Sequence, residues 1–257
     1  MKKLSVLSLV LVLSVNLFAN VVFKEVRYLK DSTVFKGFVA YDNAGPKSRP
    51  GILVVPDWWG INDFVKTKAV SLASGGYVVM IVDMYGNGCS TTDPKIADSL
   101  SCCVLGTRCM RERSQAALEV LAGLKYVDDD RLAAIGFGFG GTAVLDLAYS
   151  GADLKGVATF GADLITPQES DSAPINASFL IMQGADDPTI QSDSVVIFQD
   201  AMRDIAADWQ MIYYGNALHS FADPAAGDDV GSGNAYDISA DQHSWEHLRM
   251  FLEEALR

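Results

Sequence analysis

The run Ile135-Gly136-Phe137-Gly138-Phe139-Gly140-Gly141 constrains this chain more than any other stretch. Small and branched apolar residues, Leu132 to Ile135, lead into a glycine-dense turn, and the helix-compatible run Thr142 to Ser150 follows it. A strand that turns so tightly into a helix is the layout of a nucleophile elbow, with glycines two residues before and after the nucleophile to make room for the bend. Gly136 and Gly140 are those spacers. The residue between them is Gly138, which has no side chain to attack with.

The rest of the chain repeats the same alternation. Val21 to Tyr28 and Val34 to Ala40 flank an Asp31-Ser32 turn and predict an N-terminal hairpin at a sheet edge. Gly51 to Val55 is short and wholly apolar, as a strand buried on both faces would be. Asn62 and Asp63 cap a helical pattern from Phe64 to Ser74, and Tyr77 to Asp83 is the next strand. Strand and helix patterns then alternate through Ala116 to Leu124, Leu132 to Ile135, Val144 to Tyr149, Val157 to Phe160, Phe179 to Gln183, Val195 to Ala206 and Gln210 to Tyr214. An amphipathic helix over Asp241 to Leu256 closes the chain. This order implies an α/β fold with a mainly parallel sheet covered by helices on both faces. Ligands in such sheets bind beyond the carboxyl ends of the strands. The turns after Val55, Asp83, Gly136, Gln183 and Tyr214 are therefore expected at one edge.

Residues 1–19 stand apart. Lys2 and Lys3 followed by the apolar run Leu4 to Phe18 read as a secretory signal cut after Ala19, and the run is shorter than the roughly 20 residues of a membrane-spanning helix. Residues 20–257 then form one domain, with no repeat or linker to divide it, exported to the periplasm or the medium. A formal net charge of -12 repels phosphate backbones and anionic lipid, which argues against nucleic acid or a membrane surface as partner. Cys89, Cys102, Cys103 and Cys109 are clustered in one stretch. In an oxidising compartment such a cluster reads first as one or two disulfides, with a displaced nucleophile at Cys102 or Cys103 as the sharper reading.

Two later turns carry the other groups a hydrolase needs. Gly184-Ala185-Asp186-Asp187-Pro188 presents a carboxylate and Leu218-His219-Ser220-Phe221 an imidazole. Nucleophile position, Asp, His is the chain order of α/β-hydrolases. Asp187 and Asp186 compete for the carboxylate role. His243 and His247 lie four apart on the last helix, a spacing that could hold a metal, but no third ligand is apparent and they read as surface residues. The backbone N–H of Phe139 begins a helix and is available to an oxyanion.

These motifs, with Trp58-Trp59-Gly60, Asp83-Met84-Tyr85-Gly86, Ser150-Gly151-Ala152-Asp153-Leu154 and Ser244-Trp245, resemble the dienelactone hydrolase family over nearly the whole mature chain. The resemblance implies an α/β-hydrolase fold and cleavage of small lactones or carboxylic esters by Cys or Ser with His and Asp, without metal or cofactor. It also favours Asp187 over Asp186 and makes the Trp58 N–H the second oxyanion donor. Four positions depart from the family. Gly138 replaces the nucleophile, Pro56-Asp57 replaces His-Glu and keeps a carboxylate on a shorter stem, Asn87 stands where some members are basic, and Gly161 replaces a His. The expectation is a silent or impaired ester and lactone hydrolase that keeps a pocket for a small carbonyl or carboxylate ligand. The alternative is slow hydrolysis by water that Asp187 and His219 activate directly.

Overall fold

The computed structural model describes residues 21–171 and 173–257, so the signal expected at residues 1–19 lies outside the described residues. The chain forms an α/β-hydrolase fold. Its sheet has eight strands: β1 (Val21–Lys30), β2 (Thr33–Asp42), β3 (Arg49–Val55), β4 (Val78–Ile81), β5 (Val127–Phe137), β6 (Gly156–Phe160), β7 (Ser178–Gly184) and β8 (Asp208–Tyr214). Their order across the sheet is β1-β2-β4-β3-β5-β6-β7-β8. The expected hairpin is the antiparallel β1–β2 pair at one edge, and β2 joins β4 antiparallel. Every later pairing is parallel.

Among the described residues there are six α-helices, five between strands and one after the last: α1 (Asp63–Ser74), α2 (Pro94–Cys102), α3 (Arg108–Ala122), α4 (Phe139–Tyr149), α5 (Ser192–Asp204) and α6 (Ile238–Ala255). Strand side chains alternate between two faces, and each face has its own core. Leu53, Val55 and Ala134 meet Met110 and Leu118 of α3, Val144 of α4 and Phe198 of α5. Ile52, Val54 and Ile135 meet Val65 and Leu72 of α1 and Leu248 of α6. All residues of α4 are buried, as expected of a helix that is apolar all round. At about 25 cal/mol per Å² of apolar surface, burying one large side chain contributes roughly 1.5–3 kcal/mol.

Two elements differ from the sequence reading. Helix α2 has no counterpart in it, although Asp93 caps the helix through the Lys95 N–H and Pro94 opens it. Strand β5 begins at Val127 rather than Leu132, because Val127 and Asp128 pair with Arg49 and Pro50 before a register shift between Pro50 and Gly51. The acidic run Asp128-Asp129-Asp130 thus continues a strand, and Arg131 pairs with Asp128 across the irregularity. Among the described residues, no helix is long and apolar enough to cross a membrane.

Candidate active site

The elbow is present as backbone. Gly138 ends β5 and caps α4 with φ 49° and ψ -118°, a conformation that L side chains rarely adopt. Its N–H donates to the Phe160 carbonyl at 2.8 Å, and its carbonyl accepts from the Gly141 N–H at 2.9 Å. Gly140 must lack a side chain because a Cβ there would lie 2.5 Å from the Pro56 carbonyl oxygen. Close approach of the elbow to the end of β3 fixes where Asp57 sits.

Asp57 follows β3 and turns its carboxylate into the elbow. Oδ1 accepts the Trp58 N–H at 2.7 Å and the Phe139 N–H at 3.0 Å. Those are the two donors expected to form the oxyanion hole. A Cβ built on Gly138 would lie 2.7 Å from Asp57 Cγ and 2.9 Å from Oδ2, and closer still to Oδ1. One carboxylate therefore occupies both N–H groups and the space beside Gly138 where a side chain would stand. The expectation of two free N–H groups awaiting a carbonyl or carboxylate is not met, because strands β3 and β5 are neighbours and their ends bring Asp57 within reach of both. Burial raises the Asp57 carboxyl above its ordinary range, against the opposing pull of the Trp58 N–H, His219 and the Phe139 N–H.

On the other side of the cleft, His219 Nδ1 donates to Asp187 Oδ2 at 2.9 Å. Asp187 Oδ1 accepts the Thr189 N–H at 2.8 Å and the Thr189 hydroxyl at 2.7 Å. Thr189 was not singled out in the sequence, although a Thr two residues after an Asp in an Asp-Pro turn is a recognisable pattern for such bonds. Asp186 is exposed and takes no part. Burial opposes ionisation of Asp187, but the bonds from His219 and Thr189 outweigh it and hold the carboxyl below its ordinary value. Burial also disfavours the His219 cation, and the bond and charge of Asp187 with the charges of Asp57 and Asp163 prevail, raising its pKa. With Nδ1 committed to Asp187, Nε2 is left for chemistry.

Asp57, Gly138 and His219 line one narrow cleft with Phe64, Phe137, Phe160 and Phe221. The rings form a chain of contacts, with centroids 4.9 Å apart for Phe64–Phe137 and 4.7 Å for Phe137–Phe160. Asp223, which sequence reading passed over, also lines the cleft, and burial raises its carboxyl. Tyr85 reaches the site indirectly: Asp83 caps the N–H groups of Tyr85 and Gly86, and the Tyr85 hydroxyl donates to the Trp58 carbonyl at 2.8 Å. Asn87 is exposed on that turn.

The remaining candidates lie elsewhere. Cys89, Cys102 and Cys103 are exposed and Cys109 half-buried, and all four are unpaired, so the expected disulfides are absent from this arrangement. None lines the cleft of Asp57 and His219, which leaves the displaced cysteine without a site. His247 hydrogen-bonds the Tyr214 hydroxyl at 2.9 Å and His243 is exposed. Among the described residues no three His, Cys, Asp or Glu side chains are grouped to hold a metal.

Residues 35–256 match the model of the dienelactone hydrolase family. The chain belongs to that family. A solved dienelactone hydrolase-like promiscuous phosphotriesterase from metagenomic libraries is 34% identical, with a TM-score of 0.87 over 93% of this chain and 100% of that one. A probable 2-oxo-3-(5-oxofuran-2-ylidene)propanoate lactonase from Bradyrhizobium sp is 27% identical over 79% of this chain and 83% of its own. The crystal structure of a putative dienelactone hydrolase from Klebsiella pneumoniae shares the fold at 18% identity and a TM-score of 0.76, covering 91% of this chain and 98% of that one. In this dienelactone hydrolase family member the strand-to-helix turn at Gly138 and the Asp187–His219 pair lie at one sheet edge, with the Asp57 carboxylate against the turn.

Proposed function

We propose that this protein is an exported dienelactone hydrolase family member that is silent toward carboxylic esters and lactones. The observation that carries the reading is the position of Asp57 Oδ1 on the Trp58 and Phe139 N–H groups. Acyl transfer needs those donors for the oxygen of the tetrahedral intermediate, and losing a single such donor costs roughly 10²–10³ in rate. Here both are engaged by an anion, and Gly138 provides no attacking atom. The same occupancy argues against a carboxylate ligand, since a second anion would meet Asp57 at close range. The narrow cleft, lined by four phenylalanines together with Asp57, His219 and Asp223, suits a small molecule without negative charge. Export rests on Lys2, Lys3 and the apolar run that ends at Ala19.

Direct attack by a His219-activated water on an ester meets the same obstacle, because the ester oxygen has no donor to receive its charge. The test assays purified mature protein on an activated aryl ester and a dienelactone. It is run beside a double variant, Gly138→Cys with Asp57→Ala, that restores a thiol and clears the space. Silence of the wild type with turnover in the double variant supports the reading. Wild-type ester turnover that disappears in His219→Ala overturns it in favour of direct water attack.

A further inference from the structure

We propose that Asp57 is itself a nucleophile, and that the cleft hydrolyses small alkyl halides through an alkyl ester formed on the Asp57 carboxylate. The inference rests on the reading that Gly138 has left acyl transfer behind, and asks what the present arrangement of groups can attack.

The two oxygens of Asp57 are not equivalent. Oδ1 is fixed by the Trp58 and Phe139 N–H groups at 2.7 and 3.0 Å. Among the described residues, Oδ2 receives no hydrogen bond from a protein donor, and it lies 2.9 Å from the point a Gly138 Cβ would occupy. Oδ2 is thus an unengaged carboxylate oxygen at the elbow, in the cleft that His219 also lines. Carboxylates do serve as covalent nucleophiles in enzymes.

The class of electrophile follows from where the donors point. Attack on a carbonyl would create an oxyanion on the substrate, and the two N–H groups are already committed to Asp57. Displacement at a saturated carbon creates no oxyanion on the substrate. Oδ2 bonds to the alkyl carbon as the carbon–halogen bond breaks, and the halide departs with that electron pair. The product is a neutral ester of Asp57 whose carbonyl oxygen, Oδ1, now points at the two N–H groups.

The second step uses the rest of the site. His219 Nε2 takes a proton from water as the hydroxide oxygen adds to Asp57 Cγ, and the negative charge develops on Oδ1 between the Trp58 and Phe139 N–H groups. Asp187 stabilises the imidazolium that forms, in the role its 2.9 Å bond to Nδ1 allows. Collapse expels the alkoxide, which takes the proton from His219. A carboxylic acid is left on Asp57 and gives its proton to solvent, restoring the carboxylate. The balance is alkyl halide plus water giving alcohol, halide and a proton. The oxyanion hole therefore acts on the second step, with the enzyme's own carboxyl carbon at its centre. Phe64, Phe137, Phe160 and Phe221 line the cleft beside Asp57, His219 and Asp223, and their rings disfavour a charged, hydrated substrate.

The test uses bromoethane as the probe with the mature wild-type protein and the Asp57→Asn and His219→Gln variants, each checked for fold by circular dichroism. Bromide release is followed together with peptide mass mapping, which separates an ethyl ester at Asp57 from alkylation of the four thiols. Expected results are repeated turnover in wild type, no release beyond that accounted for by thiol alkylation in Asp57→Asn, and in His219→Gln one further equivalent of bromide with an ethyl group held on Asp57. In heavy-oxygen water, ethanol from the first wild-type turnover carries ordinary oxygen from Asp57, and the label then enters Asp57. Absence of bromide release by the wild type, alkylation confined to cysteines, or first-turnover ethanol that already carries the label would each overturn the proposal. Should a variant fail to fold, the isotope measurement on wild type decides alone. Ester turnover in the aryl ester assay bears on the silent-esterase reading and leaves these outcomes distinct.

Discussion

The carboxylate of Asp57 occupies the place of a side chain on Gly138, with Cγ 2.7 Å from the point where a Cβ would stand. The two residues come from the ends of neighbouring strands β3 and β5, and each explains the other. A thiol or hydroxyl at residue 138 would expel the carboxylate. A glycine admits it, and the N–H groups of Trp58 and Phe139 hold it.

Gly138→Ala is expected to destabilise the protein. A positive φ of 49° strains a non-glycine residue by about 1–3 kcal/mol, and the new methyl group meets Asp57 besides. Urea denaturation of Gly138→Ala, Asp57→Ala and the double variant measures the coupling. The double variant should be more stable than the sum of the single losses predicts, since removing either side chain relieves the same clash. Additive losses would contradict the contact.

Asp57→Asn is expected to stabilise the protein near neutral pH. Because burial raises the folded pKa of Asp57 above its ordinary 3.8, the folded state binds this proton more tightly than the unfolded chain. Its contribution to stability is present below 3.8 and is lost as pH rises through the folded value. The Asn amide keeps an oxygen for the Trp58 and Phe139 N–H groups and has no charge to lose. Denaturation midpoints of the two proteins should diverge as pH rises through this window and then run parallel.

His219 should titrate above its ordinary 6.5 by NMR, and Asp187→Asn should lower that value. Stability from its protonation is full below 6.5 and lost as pH rises through the folded pKa. Asp187 behaves oppositely. Its lowered folded pKa contributes stability above 3.8 that is lost as pH falls through the folded value. A His219 pKa unmoved by Asp187→Asn would show that the 2.9 Å bond is not made in solution.

Arg111→Met is expected to cost about 1.5–3 kcal/mol of stability. The guanidinium of α3, itself a quarter exposed, bridges Asp146 of α4 and Asp171, with 2.6 Å from Nη1 to Asp171 Oδ1. Removing the arginine leaves two carboxylates without their cation. Thermal or urea melts measure the loss, and replacing Asp146 and Asp171 by Asn in the Arg111→Met background should recover part of it.

The sheet and most of its helices were legible because they depend on periodicity. Val54, Ile135 and Ile181 sit in short apolar runs that only a doubly covered strand can bury. Asn62 capping α1 through the Val65 N–H was readable for the same local reason. Helix α2 escapes sequence reading despite the Asp93-Pro94 start, since it is only nine residues long and buries just the small side chains of Ala97 and Ser101. The start of β5 was missed because an acidic triplet carries no strand pattern, and only pairing with Arg49 and Pro50 makes it one. The order of Gly138, Asp187 and His219 was legible as spacing, and the choice of Asp187 over Asp186 came from resemblance. Its physical basis is that one side chain faces the cleft and the other faces solvent.

The sequence by itself determined the fold class and a glycine at the centre of the strand-to-helix turn, because these depend on local patterns and on the absence of a side chain at Gly138. Tertiary structure alone decided what lies against that glycine. Asp57 is 81 positions from Gly138 in the chain, and its carboxylate finds the Phe139 N–H only because β3 and β5 lie side by side. A hydrogen bond needs its partners within about 3 Å, a condition that strand order and register set and that no spacing along the chain records.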